Sequence, residues 1–177
     1  MKNKLLAILF SMIFFQPLMA EYLNIQSSEI SIDKKSRLTI FKGNVVATDY
    51  KNNVFKSEYA EYKKSLKFLR SEGETTILTS EGYFLSGEDI IFDNKNKSIR
   101  SDNKATITDL ENNNIYLENF VYSTENNFFK SMGKIKIVDT NENSYNFSQI
   151  YIDEKKREII GTDIKAFFNQ ESFKIND

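Results

Sequence analysis

A chain of 177 residues holds 24 Lys and Arg, 25 Asp and Glu, 15 Phe and 9 Tyr, but no His, Cys or Trp. The missing His removes the usual general base and the commonest metal ligand, and the missing Cys excludes a Cys-based metal site. A formal net charge of -1 argues against general nucleic-acid binding, which needs a clustered positive surface.

Residues 1–20 read as a signal peptide. Lys2 and Lys4 form a charged start, Leu5 to Phe15 an apolar run, and Gln16-Pro17 a break before Leu18-Met19-Ala20. The run is shorter than the roughly 20 residues that cross a bilayer. Export to a bacterial envelope compartment follows. Residues 21–177 then form one domain with 22 basic and 25 acidic residues, and no linker or low-complexity block divides it.

From Glu29 the chain alternates apolar and polar residues. Ile30 and Ile32 precede a charged turn, Leu38 and Ile40 follow it, and Val45 and Ala47 follow Gly43. This period of two marks strands with one buried face. The phrase recurs at thirty residues. Gly43, Gly73, Asn103 and Gly133 form one series, with Gly161 as an early fifth member. Thirteen residues before the marker stand Ile30, Ala60, Ile90 and Phe120. Eleven before stand Ile32, Tyr62, Phe92 and Tyr122, and four after stand Ala47, Ile77, Ile107 and Ile137. Ile150 and Ile152 fill the first two positions of the fifth copy. Such agreement defines an internal repeat. A Gly or Asn marker predicts a repeated bulge or tight bend in the backbone.

Two kinds of turn separate the strands. The first kind includes Asp33-Lys34-Lys35-Ser36, Lys63-Lys64-Ser65 and Asp153-Glu154-Lys155-Lys156, and is mostly basic. The second includes Asp49-Tyr50-Lys51-Asn52-Asn53 and Asp109-Leu110-Glu111-Asn112-Asn113, and is acidic or amide-rich. Turns this short join antiparallel neighbours. The prediction is therefore all-β, about five 30-residue hairpin repeats. Residues 58–69 have helix-like spacing at Tyr59, Tyr62, Leu66 and Leu69. The repeat register overrides it and predicts strand.

The Asp residues recur at turn positions, which gives them a structural role. No G-x-S-x-G, Walker or EF-hand phrase is present. The sequence points away from an enzyme, and calls for no cofactor and no metal. What remains is the apolar inner face, which either packs solid or accepts acyl chains.

The phrases S-S-E-I-S-I-D-K-K-S-R-L-T-I-F-K-G-N-V and S-G-E-D-I-I-F-D-N-K-N-K-S-I-R-S, following a signal peptide, carry a resemblance. The chain is similar to the OstA-like periplasmic domain of lipopolysaccharide-transport proteins, over nearly all of residues 21–177. The resemblance implies an antiparallel β-jellyroll whose apolar interior carries lipid A chains across the periplasm. It implies as partners lipopolysaccharide, other OstA-like transport proteins joined edge to edge, and the outer-membrane assembly complex. Three branches come into view. They are a soluble bridge of the LptA type, a membrane-anchored inner component, and the N-terminal domain of the outer-membrane assembly protein LptD. The tail from Gly161 to Asp177 looks most like the last.

The family has no catalytic or metal-binding residues to carry over, so repeat position nominates the site. Ile30, Ile32, Tyr62, Ile77, Ile90, Phe92, Ile107, Phe120, Tyr122 and Ile137 should face inward to the lipid. Ser31 and Glu61 should face out. Ile25, Ile164 and Phe167 should lie on edge strands that meet partners. The competing readings are a small outer-membrane barrel and an envelope protein with a packed β core and no cargo.

Overall fold

The alternating runs all form strands in the computed structural model, which describes residues 23–169 except 154 and 157. The signal-peptide segment and the last eight residues lie outside the described part. In chain order the strands are β1 (Asn24–Gln26), β2 (Glu29–Asp33), β3 (Leu38–Thr48), β4 (Val54–Lys63) and β5 (Phe68–Leu78). There follow β6 (Phe84–Glu88), β7 (Ile91–Asp93), β8 (Ser98–Ser101), β9 (Ala105–Thr108) and β10 (Asn114–Leu117). The series ends with β11 (Phe120–Ser123), β12 (Phe128–Val138), β13 (Ser144–Asp153), β14 (Glu158–Thr162) and β15 (Lys165–Phe167). Every pairing is antiparallel, and all fifteen strands join one sheet. The helix-like tract is strand up to Lys63. Only Lys64–Leu66 form a single 3-10 turn.

The sheet is folded along one line. β3 shifts register between Lys42 and Val45, β4 between Ser57 and Tyr59, and β12 between Met132 and Ile135. Gly43, Gly73 and Gly133 have positive φ there, the conformation that Gly adopts without Cβ strain. In the middle of the sheet the strands break at this line instead of bending. β6 gives way to β7 at Asp89, β8 to β9 near Asn103, and β10 to β11 near Asn119. Strands that change sheet through bulges or breaks form the corner of a sandwich. The fold line is thus a ridge joining two wings.

One wing contains β2, β7, β8, β11, β14 and the ridge-to-turn halves of the long strands. The other contains β1, β6, β9, β10, β15 and the remaining halves. Their inner faces pack together. Phe41, Ala60, Leu69 and Ile90 of the first wing share a buried cluster with Val45, Ala47, Phe55 and Ile77 of the second. Phe55 and Phe92 meet edge to face across the gap, ring centres 5.5 Å apart. A second cluster joins Phe120, Phe129 and Ile150 to Ala105, Leu117 and Ile135. Burying such side chains stabilises by about 1.5–3 kcal/mol each.

The marker series needs correction at two places. Asn103 lacks the positive φ of its three Gly counterparts, because the strand ends there. Gly161 is not the fifth bend. It lies inside β14 opposite Ile150, and the positive φ falls at Asp163, thirty residues after Gly133. The fifth copy is therefore full length up to its bend.

Polar groups close the ridge and the turns. Gly73 N–H donates to Asp89 Oδ1 at 2.8 Å, Asn44 N–H to Glu58 Oε2 at 3.3 Å, and Lys134 N–H to Glu118 Oε2 at 3.1 Å. Asp49, Asp109 and Asp139 each accept from two backbone N–H groups and one Asn amide of their own turn at 2.8–3.0 Å. One carboxylate thus satisfies a whole turn, which explains why Asp and Asn recur there.

Candidate functional site

Pairing register sorts the inward side chains into rows that run across the strands. On the ridge side of the first wing, Ile30 lies opposite Phe41, then come Ala60 and Ser71. Ser71 N–H donates to Ile90 O, and Ser101, Phe120, Ser131, Ile150 and Gly161 complete the row. From Ser71 onward small and large side chains alternate along it. Farther from the ridge run Ile32, Thr39, Tyr62, Leu69, Phe92, Ile99, Tyr122, Phe129, Ile152 and Ile159. The matching row of the second wing holds Ile25, Ala47, Phe55, Ile77, Leu85, Ile107, Ile115, Ile137, Tyr145 and Ala166. These three rows contain no charged residue.

Burial falls off in two directions. Near the ridge and mid-sheet it is complete: Ile90 is 0 %, Phe120 1 % and Ile150 0 % exposed. Away from the ridge, Tyr62, Phe92, Tyr122, Ile107 and Ile137 are half-buried. Burial raises the Tyr62 hydroxyl above the usual tyrosine range. At the ends of the sheet, Ile30 is 57 %, Ile32 68 % and Ile159 63 % exposed. Ile30 and Ile32 share rows with inward residues, but among the described residues β2 pairs only with β3, which leaves both side chains more than half exposed. The inner face is buried in the middle of the sheet and left uncovered at both ends. A surface cleft of about 220 Å³ is lined by Tyr59, Glu61, Arg70, Ser71 and Glu72.

The edge positions separate. Ile25 sits in β1, which among the described residues pairs only with β3. Phe167 sits in β15, which pairs only with β13, and is exposed. Ile164, expected in the last strand, lies in the joint between β14 and β15 beside the positive φ of Asp163. Its correction is physical: a left-handed residue ends the ladder, and pairing resumes only at Lys165. Ser31 and Glu61 occupy the outward row with Ile40, Arg70, Arg100 and Lys130. An apolar interior under a charged exterior reverses the arrangement of a transmembrane barrel.

Sequence reasoning missed the buried serines. Ser71 Oγ accepts from Ile90 N–H at 2.9 Å, Ser101 Oγ donates to Glu88 O at 2.6 Å, and Ser131 Oγ donates to Asn119 O at 2.6 Å. Each bonds backbone freed where a mid-sheet strand breaks. Unpaired buried groups would cost about 1–3 kcal/mol each. The signal was a Ser at one repeat position in three successive copies.

No protein-family model matches the chain, and no curated protein matches it in sequence. Among solved structures it is similar to LptH of Pseudomonas aeruginosa. That structure is described as the LptA-homologous periplasmic component of the conserved lipopolysaccharide transport device. Identity is 11 % and the TM-score 0.34, over 84 % of this chain and 96 % of that one.

Proposed function

We propose that this chain binds lipopolysaccharide in the periplasm and passes it toward the outer membrane, with lipid A acyl chains held between its wings. The observation that carries the reading is the inner face, buried mid-sheet and uncovered at its ends, which we read as an open-ended trough. The uncharged inner rows run across the sheet and remain exposed at Ile32 and Ile159. The OstA-like phrases support the same reading from the sequence side. Ile30, Ile32, Tyr62, Ile77, Ile90, Phe92, Ile107, Phe120, Tyr122 and Ile137 line the route, those away from the ridge touching cargo and the sealed ones forming its floor. Terminal strands with unpaired backbone groups, carrying Ile25 and Phe167, would join further OstA-like modules edge to edge. The assignment extends to an LptD N-terminal-type or LptA-type module serving the outer-membrane assembly complex.

The energetics favour a partly open site. Each methylene taken out of water gains about 0.8 kcal/mol. A twelve-carbon chain buried whole would gain roughly 10 kcal/mol, and several would hold the cargo too tightly to move. Half-buried rows continuing into a neighbour's trough keep the gain nearly constant along the path. Direction must come from outside this chain.

A photo-crosslinking residue at Phe92 should capture lipopolysaccharide in cells, and one at Glu61 should not. Phe92→Arg, shown folded by circular dichroism, should block capture at Tyr122, because a charge without a partner is costly in an apolar channel. Equal capture at Phe92 and Glu61 would reject the face assignment. The sealed floor at Ile90, Phe120 and Ile150 favours a second reading, a packed envelope protein without cargo. Absence of capture at every inward position of a folded protein would select it.

A further inference from the structure

The turns of the first kind all fall on one rim. Pairing puts Asp33 beside Leu38, Lys63 beside Phe68, Phe68 beside Asp93, Ser98 beside Ser123 and Phe128 beside Asp153. Among the described residues, segments 33–38, 63–68, 93–98, 123–128 and 153–158 hold ten basic and five acidic residues. The opposite rim, 48–54, 78–84, 108–114 and 138–144, holds one basic and six acidic.

The adjoining outer row of the first wing extends the basic rim. Arg70, Arg100 and Lys130 recur at thirty residues, and register spaces them two strands apart, with Ile91 and Val121 between. Strand separation makes that step about 10 Å. Lys130 stands over the Tyr151 ring at 5.6 Å. Of the cations in this row, Arg70 faces Glu61 across the strands.

Charge placed only for solubility would mix signs over both rims. Here acids occur on both rims, while nearly all the bases of the turns lie on one. The ridge acids Glu58, Asp89 and Glu118 are explained by the backbone N–H groups that they accept. Within the basic band, Lys97 Nζ donates to Asn94 Oδ1, Lys155 Nζ donates to Glu125 O, and Lys156 pairs with Asp153, contacts that stay within the rim itself. Cations interleaved with apolar side chains on one surface match the interface of a bilayer bearing anionic headgroups.

We propose that the basic rim and the outer row of the first wing form a docking surface for an anionic lipid membrane. The acidic ridge and acidic second rim are repelled by the same surface, which fixes one orientation. Docking uses the outer face and is independent of what the trough carries.

The test is flotation of the purified protein with vesicles of phosphatidylcholine, with and without phosphatidylglycerol, free of lipopolysaccharide. Binding should require phosphatidylglycerol and weaken with salt. The triple variant Lys64→Gln, Arg100→Gln, Lys130→Gln should lose about a hundredfold in partitioning, at about fivefold per cation near the surface. Lys56→Gln, Lys136→Gln, Lys165→Gln makes the same change in net charge on the outer row of the second wing. It should lose less than about fivefold. Equal losses from the two triples, both folded by circular dichroism, would overturn the proposal. So would binding that ignores phosphatidylglycerol, or no binding of the unaltered protein at low salt.

Discussion

Ile90, Phe120 and Ile150 occupy the same repeat position as Ile30, and all four belong to one inward row. In the middle of the sheet the position is sealed, while at its first strand it is more than half exposed. The side chain and its facing are the same, but the neighbours differ. Mid-sheet strands have partners on both sides and the opposite wing above them. β2 has β3 alone. Period and parity determine which way a residue points, and the distance from a sheet edge determines whether it is covered.

The largest effect should come from hollowing the middle. Phe120→Ala should destabilise by about 3–5 kcal/mol in urea unfolding, through lost transfer energy and a residual cavity. Ile32→Ala should change stability by less than about 0.5 kcal/mol. Similar losses would mean that Ile32 is covered in solution, and the contrast between middle and end would fail.

Two glycines on the fold line sharpen the contrast further. Gly73→Ala places a Cβ at φ 75 with nothing within 4 Å, so only the left-handed backbone is strained, about 1–2 kcal/mol. Gly133→Ala at φ 103 also meets Glu118 Oε2 at 2.5 Å, the oxygen that accepts from Lys134 N–H. It should cost at least about 1 kcal/mol more. Equal thermal shifts would show that the Glu118 contact yields freely.

The smallest effect is in acid. The Asn96 backbone N–H holds the Asp93 carboxyl below the usual carboxylate range, and the Ser36 hydroxyl does the same for Asp33. A lowered folded pKa stabilises above the ordinary value of about 3.9 and is lost as pH falls through the folded value. Asp93→Asn should therefore flatten the loss of stability below about pH 4. Asp33→Asn, in the exposed end turn, should flatten it less. Melting across acid pH checks both, and an unchanged acid limb in Asp93→Asn would refute the assignment.

Much of this fold was legible because the repeat samples each row several times. Ile90 and Phe92, or Phe120 and Tyr122, would be ambiguous alone, but five copies in register fix their parity. The strand breaks at Asp89, Asn103 and Asn119 were not legible. A break and a bend use the same turn-forming residues, and which occurs depends on strands far away in sequence. Ile164 was misplaced for a related reason: Gly161 resembled the bend marker, while Asp163 holds the left-handed backbone. Charge on the turns could be read directly, and stacked copies would gather it onto one rim; the register places those turns side by side.

A thirty-residue unit crosses the sheet out and back, so it always returns the chain to the rim from which it started. Length can therefore change only in whole units if polarity is to survive. One duplication adds two strands, about 10 Å of trough, and leaves every later basic turn on its own side. Half a unit would exchange the two rims from that point onward and send cations and carboxylates to the wrong sides. The even count of crossings makes this architecture extensible in fixed steps, like a ruler whose divisions are single gene-level duplications.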